Sequence, residues 1–150
     1  MLAKEFLQRV EKLDIMINNK LAEQQQWMDM ALSITANMSG ERVLSSGGSK
    51  SKLEDAVVKC VDMEGDINRL IDELIDAKKD VIRVIEQVDN PTEYDVLHKR
   101  YIQKMSLGDI AERYGREYTW VTTTHGRGLQ SVQKILDETK TDNILNERTV

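Results

Sequence analysis

The sequence predicts an all-α protein, in which a long N-terminal helical hairpin or coiled coil precedes a C-terminal helix-turn-helix head. Three observations point there. The chain has a single proline and abundant Leu, Ile, Val, Glu, Asp, Lys and Gln, the composition of amphipathic helices. Apolar residues recur every three or four positions, the spacing of one helical face. Capping residues and glycines stand where helices have to begin and end, most clearly between Ser106 and Leu136.

Composition narrows the function classes. With 40% hydrophobic and 31% charged residues, the chain is a folded rather than a disordered one, and 150 residues suffice for one domain with an appendage. No apolar run approaches the ~20 residues a membrane-spanning helix needs. The N-terminal segment carries acidic residues within a helical pattern and lacks a signal-peptide core. The only cysteine, Cys60, excludes an intramolecular disulfide and fits a reducing compartment. The cytoplasm is the expected location, with no membrane partner. Catalysis finds little support. His98 and His125 are the only histidines, no spacing of His, Cys and carboxylates resembles a metal site, and no nucleophile–base pair is visible. The expectation is a non-enzyme without metal or cofactor.

Residues 2–36 read as the first helix, with Phe6, Val10, Leu13, Ile17, Leu21, Met28 and Ala31 on its apolar stripe. Gln24 interrupts that stripe, and Trp27 and Met30 widen it. From about 37 to 51 the pattern stops in a Ser/Gly-rich stretch, which reads as a flexible linker. Its Gly47-Gly48-Ser49-Lys50-Ser51 lacks the Gly-Lys-Ser/Thr order and preceding strand of a phosphate-binding loop. Residues 52–89 carry Ala56, Cys60, Met63, Ile67, Leu70, Leu74, Ala77, Val81, Val84 and Val88. These steps are those of a heptad seam. Val57, Ile71, Ile75, Ile82 and Ile85 flank it, making the apolar face wider than a two-stranded seam needs. An antiparallel hairpin with the first helix is expected, and with it a homodimer.

Asp89-Asn90-Pro91-Thr92 marks a boundary, because proline disfavours helix before it and opens the next one well. Residues 1–89 are thus the expected scaffold and 91–138 the head, followed by a polar tail over 139–150 that should fray or be disordered. A support helix over about 92–103 should turn Tyr94, Leu97 and Tyr101 or Ile102 inward. Net charge is −5, but Lys and Arg outnumber Asp and Glu by 7 to 5 over residues 91–136, against 6 to 11 over 51–90. Local charge governs contact with phosphate, so the head remains compatible with nucleic acid although its excess is small.

Within the head, Ser106 is positioned as an N-cap with Asp109 three residues on, and Leu107, Ile110, Ala111 and Tyr114 follow at helical spacing. Gly115 stops that helix where a positive φ is called for. A second helix follows, with Val121, Leu129, Val132, Ile135 and Leu136 on its inner side. Two helices joined by a short glycine turn have the layout of a helix-turn-helix, whose second helix enters the DNA major groove.

The run Ser106-Leu107-Gly108-Asp109-Ile110-Ala111-Glu112-Arg113-Tyr114-Gly115, then Val121, then His125-Gly126-Arg127-Gly128-Leu129, resembles region 4 of bacterial sigma factors. It is closer still to sigma-region-4-like phage proteins that act as late-gene transcriptional regulators, in which a His-Gly-Arg-(small)-Leu run closes the recognition helix. The likeness spans about Tyr94 to Leu136. It implies a transcriptional regulator of phage or prophage origin that binds double-stranded DNA and has RNA polymerase as an expected partner. Two departures stand out: Glu117 holds the place of a Ser or Thr cap, and Arg116 that of an apolar turn residue. They leave open a late start of the second helix, with Thr119 as its cap.

On a second helix running from Tyr118, the residues Tyr118, Thr119, Thr122, Thr123 and Gly126 fall on the outer face toward its N-terminal half. That is the part that meets base edges. Arg116, Lys104 and Arg127 are candidate phosphate contacts alongside Lys99 and Arg100, and Arg127 matches the His-Gly-Arg run of the family. Trp120 should be partly buried, and His125 should cap or pack against the first helix of the motif. Two other readings fit the same layout. One is a small terminase-like DNA-packaging subunit, and the other a protein-interaction module that docks on RNA polymerase.

Overall fold

The computed structural model describes residues 1–40 and 47–148, and every regular element among them is helical. In chain order these are α1 (Ala3–Gly40), α2 (Gly47–Ile85), α3 (Pro91–Leu97) with a π-helical continuation (His98–Ile102), α4 (Leu107–Tyr114) and α5 (Tyr118–Arg148). The chain separates into two compact units. One is Leu13–Glu73; the other joins Met1–Lys12 to Leu74–Val150. No helix among the described residues is long and apolar enough to cross a membrane.

The Leu13–Glu73 unit is a two-helix hairpin. The connection from Gly40 to Gly47 reaches at most about 25 Å, less than half the ~57 Å length of α1. The Gln24 side-chain amide of α1 donates to the Cys60 carbonyl of α2 at 3.1 Å. Contact that far from the connection requires the helices to run antiparallel. The α2 seam is placed as its spacing predicts: Ala56, Met63 and Ile67 are buried, Cys60 and Leu70 half-buried. The α1 stripe is placed so at Phe6, Val10, Leu13, Ile17 and Ala31, but not between Ile17 and Ala31. Leu21 and Met28, expected inside, are each 46% exposed. The half-buried or buried positions here are Ile17, Trp27 and Ala31, as expected, together with Lys20, Gln24 and Ile34. These keep strict steps of three and four, so the helix face toward its partner is held by register even where the residue is polar. Gln24, which looked like an interruption, is on the seam.

In the other unit, Ala3, Phe6, Leu7 and Val10 of α1 are buried together with Ala77, Val81, Val84 and Ile85 of α2 and the apolar positions of the head. Two polar contacts tie α1 to the head directly. The Ala3 amide donates to Gln133 Oε1 at 2.7 Å, and Arg100 lies 3.9 Å from Glu11. The scaffold–head boundary expected at Asp89–Pro91 is a break between helices, while the compact unit extends across it.

Local chemistry accounts for the ends of the head helices. Asn90 Oδ1 accepts from the amides of Thr92 and Glu93 at 2.9 and 3.1 Å. Pro91 takes the first helical position, where its missing N–H leaves nothing unsatisfied. The π-helical turn closes with the Gln103 amide on the His98 carbonyl and the Met105 amide on that of Lys99, which leaves Lys104 at φ 59°. Ser106 Oγ accepts from the Asp109 amide at 3.1 Å, the cap its sequence announced. Gly115, at φ 63°, ends α4 with its own amide on Glu112 and that of Arg116 on Ala111, the paired bonds of a Schellman cap.

Two expectations about irregular segments need correction. Residues 37–40 complete α1 and 47–51 open α2, so of the linker expected over 37–51 only 41–46 lie outside the described residues. Residues 139–148 are helical rather than a disordered tail. Extending an existing helix fixes one residue per bond gained, without a new nucleus, so exposed polar residues can prolong α5.

Candidate nucleic-acid interface

The rotation of α5 about its own axis decides which residues face outward, and the contacts beneath it fix that rotation. Val121 is fully buried with Val96, Ile110 and Ala111, and Met105, Leu107, Tyr114 and Trp120 close over that cluster. Gly128 lies against Leu97 so closely that a Cβ there would sit 3.1 Å from its side chain. Thr124 is buried and returns its hydroxyl to the Trp120 carbonyl at 2.8 Å. His125 Nε2 and Tyr101 Oη are 2.8 Å apart with their rings stacked. His125 thus has its hydrogen-bonding and stacking partner on the π turn that continues the support helix, where one on α4 was expected.

With Val121, Thr124 and Gly128 inward, the opposite line of α5 carries Thr119, Thr122, Thr123 and Gly126. Thr119 and Thr123 are exposed, while Thr122 and Gly126 are half-buried. The hydroxyls of Thr122 and Thr123 both donate to the Thr119 carbonyl, at 3.0 and 2.8 Å. Their hydrogens are committed to the helix, so what these side chains present outward is a methyl group and an oxygen lone pair. A Cβ added to Gly126 would meet nothing within 4 Å, so no packing inside the protein accounts for a glycine there. Tyr118 is 58% exposed at the start of the helix. The helix begins at Tyr118, the Val121 amide reaching the Glu117 carbonyl, so Thr119 lies in the first turn and is not its cap.

The basic candidates do not all join the threonine line. Arg116 is exposed, its guanidinium 5.0 Å over the Trp120 ring, and Trp120 in turn packs at 5.2 Å on Tyr114. Arg127 lies round the helix from the threonines, lining a small cavity of about 190 Å³ with Asn90, Thr92, Glu93, Trp120 and Thr124. Lys104 is exposed in the turn before α4. Of these, Arg116 stands nearest in sequence to the N-terminal turn of α5.

Ionisable groups behind the interface are held by their surroundings. Burial, with the Arg100 and Lys4 charges, lowers the pKa of His125 from its ordinary 6.5 and favours a neutral ring. Partial burial would raise the Asp95 pKa, but hydrogen bonds from Lys99 and Tyr114 outweigh it and hold the carboxyl below its usual range. Tyr114 is pushed up to about 12 by burial and by its bond to Asp95. This Lys99–Asp95–Tyr114 chain links the support helix to α4 and is a sequence-silent part of the head. Its signal, Asp95 and Lys99 four apart on one helix, was legible only as an ordinary surface pair. Among the described residues, no group of three His, Cys, Asp or Glu is gathered to hold a metal ion.

By its geometry this is an all-α protein whose head presents a polar, threonine-lined helix on a glycine-bent support. The chain belongs to the family described as "Protein of unknown function (DUF1492)", whose pattern it matches over residues 32–145. No curated protein matches the chain. No solved structure matches it either.

Proposed function

We propose that the protein is a sequence-specific DNA-binding regulator of transcription, of phage or prophage origin, that reads duplex DNA with the N-terminal half of α5. The observation that carries this reading is the line Thr119–Thr122–Thr123–Gly126 opposite the core. A threonine-rich stretch is a poor helix former, and a glycine inside a helix is worse. No packing accounts for the glycine on that outer face, and close approach of a base-pair edge suits glycine and threonines alike. Methyl groups fit thymine, and a missing side chain lets the helix sit deep in the groove. The resemblance to sigma region 4 supports the same face.

Charge sets the expected strength. The unit holding the head has 15 Lys and Arg against 15 Asp and Glu. Phosphate attraction is therefore modest, and base contacts must supply much of the affinity. Selection from a random duplex pool, followed by anisotropy titration on the winning sequence, tests the proposal. Thr122→Ala with Thr123→Ala should weaken binding to that sequence about tenfold or more and leave non-specific binding unchanged. Arg116→Ala should weaken binding to all sequences and lower the salt slope by about one. Absence of any duplex binding at low salt removes the proposal.

A further inference from the structure

The hairpin Leu13–Glu73 has a second apolar face that its own helices do not use. The positions immediately following each seam residue line one open side of an antiparallel pair, because equivalent flanks of the two helices meet there. On α1 that flank holds Leu21, Met28 and Leu32; on α2 it holds Val57, Val61 and Ile71. All six are exposed, from 38% for Ile71 to 66% for Leu32. A row of this kind on two adjacent helices is a groove for a third helix.

Charge identifies the occupant. The Leu13–Glu73 segment has 6 Lys and Arg against 11 Asp and Glu, so it carries the whole chain's net −5 while the other unit is balanced. Asp29 on α1 and Glu54, Glu64 and Asp72 on α2 are exposed beside or within the apolar row. Two copies meeting through this face would bring like charges together, whereas a cationic helix would neutralise them. We infer that this face docks an amphipathic helix of another protein that is rich in Lys and Arg on either side of an apolar stripe. The docking is independent of what the head binds.

Calorimetric titration of the full-length protein tests this with two designed helical peptides, one of Leu and Lys and one of Leu and Glu in the same amphipathic order. The Lys peptide should bind with one site per chain, and the Glu peptide should not. Val61→Ser with Ile71→Ser should weaken the Lys peptide about tenfold or more at unchanged helicity. Glu64→Lys with Asp72→Lys should do the same, while Met30→Ser, 50% exposed on the opposite flank of α1, should leave it unchanged. Equal binding of both peptides, or indifference to the Val61 and Ile71 changes, overturns the inference. So does sedimentation showing a dimer that the same two serine substitutions dissociate, since the occupant would then be a second copy.

Discussion

Gly115, Gly126 and Gly128 lie close together in sequence, but the structure requires a glycine at only two of them, for different reasons. Gly115 needs its φ of 63°, a region L side chains enter only with strain, so Gly115→Ala should destabilise by about 1–2 kcal/mol. Gly128 needs space, because the added Cβ would press on the side chain of Leu97, itself fully buried. Gly128→Ala should therefore cost about 1–3 kcal/mol, as overpacking does. Gly126 has neither constraint, and Gly126→Ala should stabilise by about 0.5–1 kcal/mol through helix propensity and a less mobile unfolded chain. Urea unfolding of the three variants gives the comparison, and any destabilisation by Gly126→Ala would mean that a neighbouring group crowds that position. His125 adds a pH dependence. Its pKa is lowered in the folded state, so the unfolded chain takes up the proton more readily. The contribution is fully present above the ordinary value of 6.5 and is lost as pH falls from there through the depressed folded value. His125→Gln, which can retain a bond to Tyr101, should flatten that acid limb in unfolding measured from pH 8 to pH 5. An unchanged limb would place its origin elsewhere.

At the scale of elements, the sequence was most legible where one physical signal acted alone. The α2 seam could be read because apolar residues fill nearly every position of a strict heptad, and the caps at Ser106 and Gly115 because each needs a particular side chain or backbone. The α1 stripe misled because hydrophobicity and register disagree. After Ile17 the apolar residues Leu21 and Met28 step off the seam, which Lys20 and Gln24 occupy. Pattern reading follows the hydrophobic residue, while two packed helices follow the register. The outward threonines could be anticipated from the phase of Val121, but their hydroxyl bonds to Thr119 and the Asp95–Tyr114 link depend on three-dimensional placement. Gln24→Leu should strengthen the hairpin by about 1 kcal/mol, because an apolar side chain replaces a polar one at a half-buried seam position. Thermal unfolding followed through helical dichroism would register the gain. A loss instead would show that the bond to the Cys60 carbonyl holds the two helices in register more strongly than packing does.

For the whole molecule, the order of the chain and the order of packing differ. Met1–Lys12 begins the sequence yet belongs to the same compact unit as α3, α4 and α5. Leu7 is fully buried there, and the Ala3 amide bond to Gln133 anchors the start of α1 on the helix that carries the candidate interface. The stability of that helix should then depend on residues more than a hundred positions away in the chain. Leu7→Ala removes a fully enclosed side chain and should lower unfolding free energy by about 2–5 kcal/mol, with the exact loss set by how far the site collapses. Because Leu7 lies within the head's unit, the loss should appear as faster hydrogen exchange at the amides of Val121 and Val132, both fully buried on α5. Thr123→Ala, exposed on the same helix, should leave those amides protected. If Leu7→Ala accelerated exchange only within α1 and α2, the N-terminal segment would be a passenger on the head, and α5 would owe its position to α3 and α4 alone.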